Sequence, residues 1–590
     1  MKKKHLYLFI AALLFAGLIL SACQPAPSEP EAEPTEAMEE EEEMEEEEEM
    51  EEVGFSTTIY YRDVYRDYLP RPGDVAVEIQ TQLKENLNID AEVVVMESGE
   101  FIAESTAGRL DGIYLLGWTG DYPHPTNFLD FHFSKDNPQF GDPFPEIFEP
   151  LNEASQIEDP NDALDLYAEA NNAIKANVPM VPIVHSSAAY AAKKSLEGVN
   201  NPPFGSPIMR LIDPGKDTLV FMQNAEPISL YCADETDGES LSACQQVLEG
   251  LYRYNTEGQA EPALAKECTA NEDLTEWTCT LQEGVMLHDG SMLDANDVVA
   301  SMAAGLDASN PYHEGNTGAW EYYSYLWGGL MNQEAEEAEP IEVPEGEGDK
   351  PYGEIPYEEP LSFSSNNGCE YGGKVNEISA VDQYTVKFDL CQPHPAFIAQ
   401  MAFNVFSVQP REYIAYTGGT GEILENPVGT GAYQLETWNR GDSIIFTRFE
   451  DYWGENAEAE TLVFRWATES AARLLELQSG TVDYITNITE EDMAAVEEDP
   501  DLEVIPLPAP NIMYVAMTNT FEPFDDLKVR KAIALGLDRQ RIVDNFYPEG
   551  SEVASHFTPC SIPGGCEGES WYDFDPEQAR ELLREAGVFK

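Results

Sequence analysis

Positive charge is scarce in this chain. Its 590 residues carry 32 Lys and Arg against 111 Asp and Glu, a formal net charge of −79. Phosphate backbones are held by clustered Lys and Arg, so nucleic-acid binding is excluded as a function class. Metal-site spacing is missing as well. No cysteines form a close CxxC pair, and the eight histidines make neither an HxH nor an HxxxH pattern. The HExxH, GxSxG and Walker patterns are absent, so neither catalysis, a metal nor a resident cofactor is expected. Long apolar runs are limited to Leu6–Leu20, which at 15 residues falls short of a membrane span of about 20.

That run has another use. Lys2, Lys3 and Lys4 precede it and Leu20-Ser21-Ala22-Cys23 follows, which is the layout of an export signal. The last four residues resemble a bacterial lipobox, which implies a signal peptide over 1–22 and lipid attachment at Cys23. An ordinary secretory signal with an incidental cysteine is the alternative. Residues 23–52 then hold 16 Glu with no Lys or Arg, and Pro at 25, 27, 30 and 34. Such a segment buries no apolar surface and repels itself, so an acidic, disordered tether is expected. The remainder still carries 95 acidic against 29 basic residues, net −66. Either a cationic ligand or a saline habitat suits that surface.

Residues 53–590 are too many for one ordinary core and suit two or three lobes. Eight cysteines remain after Cys23, an even number in an exported chain, so disulfides are expected. Sequence leaves their connectivity open. Local pairs would be Cys232–Cys244, Cys268–Cys279, Cys369–Cys391 and Cys560–Cys566, and the second and third would clip antiparallel hairpins.

Strand-like and helical patterns alternate through the body. Thr57–Tyr61 alternates β-formers, Val75–Asn86 has helical periodicity and Ala91–Met96 returns to strand. Ala163–Lys175 reads as a helix presenting Leu164, Tyr167, Ala168 and Ile174, with Asn171 interrupting the stripe. Asp575–Ala586 starts with a capping Asp-Pro and stops at Gly587. Residues 331–368 are Glu- and Pro-rich without periodicity, and an exposed insertion is expected there. Mixed patterns of this kind imply α/β layering with more than one sheet.

Several blocks resemble family 5 solute-binding proteins of ABC importers, the oligopeptide/dipeptide-binding type. DTLVFMQNAEPISLYCADETDGES (217–240), LEGLYRYN, EPALAKE and WTCTLQEGVMLHDGSMLDANDVV resemble the family's opening. NPVGTGAYQLETWNRGDSIIFTRFEDYWG (426–454) resembles its central signature. DLKVRKAIALGLDRQRIVDN (526–545) and DPEQARELLREAG (575–587) resemble later helices. The family's continuation is similar to residues 54–185, which here come first. The resemblance therefore implies a circularly permuted α/β, two-lobed periplasmic-binding-protein-like type II fold with an extra subdomain. One lobe would span 186–484, including the insertion. The other would join 485–590 to 53–185. A gene-model accident joining parts of two tandem copies is the alternative.

The resemblance also implies a binding site. In GWTGDYPHPTNFLDFHF (117–133), Asp121 matches the aspartate that receives a peptide's α-ammonium, with Trp118 and Tyr122 as pocket walls. A carboxylate suits that role because a buried ammonium needs opposite charge; capping a turn before Pro123 is the bland alternative. In YYRDVYRDYLP (60–70), Arg66 falls where relatives hold a ligand carboxylate, and Arg62 is the neighbouring candidate. Asn224, Glu226 and Tyr231 would line the cleft from the other lobe. The glycines of NPVGTGAY are expected to serve a tight turn, and 528–538 to be a structural amphipathic helix. The implied protein is a monomer outside the cytoplasm, held to the membrane by its lipid and serving an ABC permease and ATPase. Its ligand would be a short peptide, with an oligosaccharide or other organic solute as alternative. A lipid-anchored sensor without transport ranks lower.

Overall fold

The structure is a computed structural model that describes residues 54–588 apart from 65, 136, 347, 349, 508 and 509. The expected signal peptide, Cys23 and the acidic tether lie outside the described residues.

The β-rich run Ser56–Arg62 pairs in parallel with Asp90–Met96 on one side and Ile113–Thr119 on the other. Parallel neighbours require a crossover, and helix Pro72–Leu87 supplies the first. Proline opens that helix and Asn88 closes it in the left-handed region, φ 53°. Asn511–Met517, buried at every residue, then adds antiparallel to Ile113–Thr119 and is flanked by Met180–His185. Burial on both faces explains the apolar run IMYVAM that follows Asn511. The six-stranded sheet is completed at its edge by Glu552–Val553.

Strands from both ends of the sequence thus interleave in one sheet. Helices Leu527–Gly536 and Pro576–Glu585 pack with Pro72–Leu87. Arg580 Nη1 donates to the Asn86 carbonyl at 2.7 Å, and Gly54 N donates to that of Asn88 at 3.1 Å.

The other half is built on a seven-stranded sheet. Its order is Tyr433–Asn439, Ser443–Arg448, Thr461–Trp466, Thr218–Gln223, Tyr484–Ile485, Ala188–Lys193 and Leu502–Leu507. Beside it a five-stranded antiparallel sheet, containing Glu276–Leu281 and Thr385–Leu390, forms the extra subdomain around Trp277, Phe388 and Phe397. The four local cysteine pairs named above are all bonded. Cys268 and Cys279 face each other across their hairpin.

Consecutive strands belong to different large sheets at two points in the chain: Met180–His185 is followed by Ala188–Lys193, and Leu502–Leu507 by Asn511–Met517. Asn511 ties the two crossings together. Its Oδ1 accepts from Ser186 N at 2.9 Å and its Nδ2 donates to the Ser186 carbonyl at 3.1 Å.

Leu502–Leu507, in the stretch expected to belong to the second lobe, pairs antiparallel with Ala188–Lys193 in the seven-stranded sheet. Three sequence expectations are corrected in detail. Helix Leu164–Asn177 buries Tyr167, Ala170, Asn171 and Ile174 rather than Leu164 and Ala168. Asn171 belongs inside because its amide donates to the carbonyls of Gly564, Gly565 and Glu567. The 331–368 segment is not wholly exposed: Tyr352 is buried, donates to Asp289 Oδ2 at 2.9 Å and strides over Tyr413 and Tyr416. Gly429 and Gly431 serve close approach rather than a tight turn, since a Cβ on them would meet the carbonyls of Val247 and Gln246 at 2.2 and 2.5 Å.

Candidate functional site

The 117–133 segment leaves the six-stranded sheet at Thr119 and turns through Asp121 into a short 3-10 turn, Pro125–Asn127. Asn127 organises that turn. Its Oδ1 accepts from Trp118 Nε1 at 2.7 Å and from Asp121 N at 3.4 Å, and its Nδ2 donates to Asp121 Oδ2 at 3.3 Å. The other carboxylate oxygen accepts from the Tyr322 hydroxyl at 3.2 Å, and Tyr254 donates to the Asp121 carbonyl at 3.4 Å. Both tyrosines come from the opposite half, so Asp121 sits where the halves meet.

Aromatic rings enclose it. Trp118 stacks on Phe131 at 4.4 Å, and both lie against Tyr325, at 6.0 and 5.1 Å. Tyr322 stands edge-on to Phe403 at 4.8 Å. Among the described residues no Lys or Arg forms a salt bridge with Asp121. Burial pushes its carboxyl from 3.8 up to about 6, against the lowering effect of the Asn127 and Tyr322 hydrogen bonds. A desolvated carboxylate with an aromatic surround is built to accept a cation, since ring faces and charge attract it together.

Two cavities flank this point. One, of about 430 Å³, is polar and lies between the two large sheets. Arg66 and Thr119 line it from one side, and Asn224, Glu239 and Asn487 from the other. Asn224 Oδ1 accepts from Asn487 Nδ2 at 3.2 Å, and burial raises the Glu239 carboxyl. The second, of about 590 Å³, lies behind Tyr122 and Tyr325 and carries Asp130 and Lys374.

The structure therefore brings Asp121, Trp118 and Tyr122 together, with Arg66 and Asn224 in the neighbouring polar cavity. The remaining three candidates are engaged elsewhere. Arg62 donates to Ser98 Oγ and to the Tyr68 hydroxyl, each at 3.2 Å. Glu226 accepts from Trp438 Nε1 and Gly441 N, both at 3.1 Å, and so fastens a hairpin turn. Tyr231 is buried edge-on to Trp320 at 5.8 Å. Residues that sequence reasoning missed are Asn127, Tyr254, Tyr322, Tyr325, Asp130 and Lys374. Asn127 stood inside the motif, and the tyrosine-dense EYYSYLW (321–327) was the visible trace of two others.

The description "Bacterial extracellular solute-binding proteins, family 5 Middle" matches residues 259–589. The dipeptide-binding protein of Escherichia coli is 28% identical over 384 residues, covering 63% of this chain and 64% of that protein. The glutathione-binding protein of Salmonella typhimurium is 27% identical over 375 residues, covering 63% and 62%. The chain thus spans less than two thirds of the curated relatives it matches. An ABC transporter-associated periplasmic binding protein of Helicobacter pylori, solved with the peptide STSA, is 21% identical with a TM-score of 0.46, covering 63% and 66%.

Proposed function

We propose that this chain, which belongs to family 5 of the bacterial extracellular solute-binding proteins, captures a short peptide between its two halves for delivery to an ABC importer. The observation that carries the proposal is Asp121: a carboxylate withdrawn from water at the junction of the halves, ringed by tyrosines, without a salt bridge to any described cation. A peptide's α-ammonium supplies the missing counter-charge. Arg66, on the adjacent polar cavity, is the candidate for the ligand carboxylate through paired charge-assisted bonds. The two crossings joined by Asn511 are suited to act as a hinge on which the halves close.

The finer assignments belong to the same proposal. Cys23 carries the lipid, the acidic segment 23–52 is the tether, and a permease and ATPase receive the ligand. The family's blocks stand in circularly permuted order. In support, alignment with the E. coli relative stops at 63% of this chain and 64% of the other, and one sheet interleaves strands from 56–185 with strands from 511–553.

Calorimetric titration tests the ligand assignment. A di- and tripeptide pool should bind, and Asp121→Asn should weaken binding a few hundred-fold or more, since stripping one partner from a buried ion pair costs about 3–5 kcal/mol. Arg66→Ala should weaken free-carboxylate peptides and spare amidated ones. Tight binding of an oligosaccharide with no peptide binding would refute the peptide assignment and leave importer service standing.

A further inference from the structure

The cavity behind Tyr122 and Tyr325 is not needed to hold an ammonium at Asp121, yet it is charged. Asp130 and Lys374 both line it, on a short helix Leu129–Phe133 and immediately before the strand Val375–Asp382 respectively. The two feel one another electrostatically without closing into a salt bridge. Each is partly buried, and that burial raises the Asp130 carboxyl to about 6 and lowers the Lys374 ammonium to about 8. The third ionisable group on the wall, His394, is held neutral by burial and by Lys374, and its Nε2 is already bonded to Gln400 Oε1 at 2.8 Å. Asp130 and Lys374 are thus the two charged side chains of a wall whose other polar groups, such as Thr126, Ser134, Asn152, Gln156 and Gln392, are neutral.

Its walls connect it to the site above. Tyr325 touches Trp118 and Phe131 on one side and lines the cavity on the other, and Tyr122 follows Asp121 in the chain. A peptide anchored at Asp121 by its α-ammonium would direct its first side chain past these rings. An aliphatic side chain there would strip water from both charges and replace none of their hydrogen bonds. An acidic one would satisfy Lys374 and confront Asp130; a basic one would do the reverse. A neutral group with a donor and an acceptor satisfies both, and water can fill the remaining polar volume.

We propose that this cavity is the subsite for the ligand's first side chain, and that Asp130 and Lys374 select there a carboxamide, as in glutamine or asparagine. The proposal rests on Asp121 holding the α-ammonium. The carboxamide NH₂ donates to Asp130, and its carbonyl accepts from Lys374.

Calorimetry with Gln-Ala, Met-Ala, Glu-Ala and Lys-Ala tests it, with N-acetyl-Gln-Ala reporting on Asp121. Wild-type protein should bind Gln-Ala about tenfold or more tighter than Met-Ala, the worth of two hydrogen bonds that only the carboxamide makes. Asp130→Asn should raise Glu-Ala relative to Lys-Ala, and Lys374→Met should do the opposite. The double variant should prefer Met-Ala. A purely structural role for the pair would shift all four peptides alike. Met-Ala binding wild type as tightly as Gln-Ala, or a ranking unmoved by the variants while acetylation still abolishes binding, overturns the subsite alone. Absence of peptide binding, or indifference to acetylation, overturns the Asp121 assignment and the subsite with it.

Discussion

Closing the two halves without a ligand leaves the Asp121 carboxylate hydrogen-bonded to Asn127 and Tyr322 but without a counter-charge, and Asp121→Asn should relieve the cost of burying it. The Asp121 carboxyl moves from 3.8 to about 6 in the closed arrangement, mainly through burial. A shift of roughly two units is about 3 kcal/mol, or roughly a hundredfold in a conformational equilibrium. The sign follows from proton uptake. The closed form binds the Asp121 proton more tightly, so ionisation opposes closure in full above pH 6. That opposition fades between pH 6 and about 4, and is gone below. The surrounding Tyr122, Tyr254, Tyr322 and Tyr325 have hydroxyls raised by burial and stay neutral throughout this window. Small-angle scattering of the ligand-free protein should therefore show a smaller radius of gyration for Asp121→Asn than for wild type at pH 7.5. The wild type should contract toward the variant as pH falls through 6, and the two should coincide near pH 4. Identical radii at pH 7.5, or a difference that persists unchanged to pH 4, would refute the desolvation argument.

Two further outcomes are expected. Cys23→Ser should leave the protein exported but released from the membrane fraction, because the signal remains while the acyl acceptor is gone; equal membrane retention of both forms would contradict lipid anchoring. A reordered chain that links residue 590 to residue 54 and opens between the exposed Gly215 and Lys216 should fold and bind ligand like the original, as tested by circular dichroism and calorimetry. Failure of the reordered chain to fold would count against permutation.

The sequence exposed local structure well and cross-chain structure poorly. The alternation in Thr57–Tyr61 and the Asp-Pro cap at 575–576 correspond to Ser56–Arg62 and to Pro576–Glu585, whose Asp575 accepts from Gln578 N. These signals depend only on neighbours. Asn171 looked like an interruption because its partners lie nearly 400 residues away, in the loop at 564–567. The same holds for the site. Asp121, Trp118 and Tyr122 share one short motif, but Tyr322 reaches Asp121 across 201 residues of sequence. Asp130 and Lys374 meet at a cavity that no periodicity encodes. Glu226 and Tyr231 meet Trp438, Gly441 and Trp320, partners that a local loop pattern does not reveal.

The disulfides have an implication for how the protein is assembled. Their partners are separated by 12, 11, 22 and 6 residues, so each pair can oxidise once a short stretch of chain has folded on itself. The six-stranded sheet has the opposite schedule. Its strands from 56–185 stay incomplete until Asn511–Met517 arrives to pair with two of them, a long-range closure of the kind that slows folding. These four bonds therefore tie pieces that are already finished, and none of them joins one large sheet to the other. A reducing environment would loosen those pieces one by one, while the swing of one half against the other would be neither locked by oxidation nor unlocked by reduction.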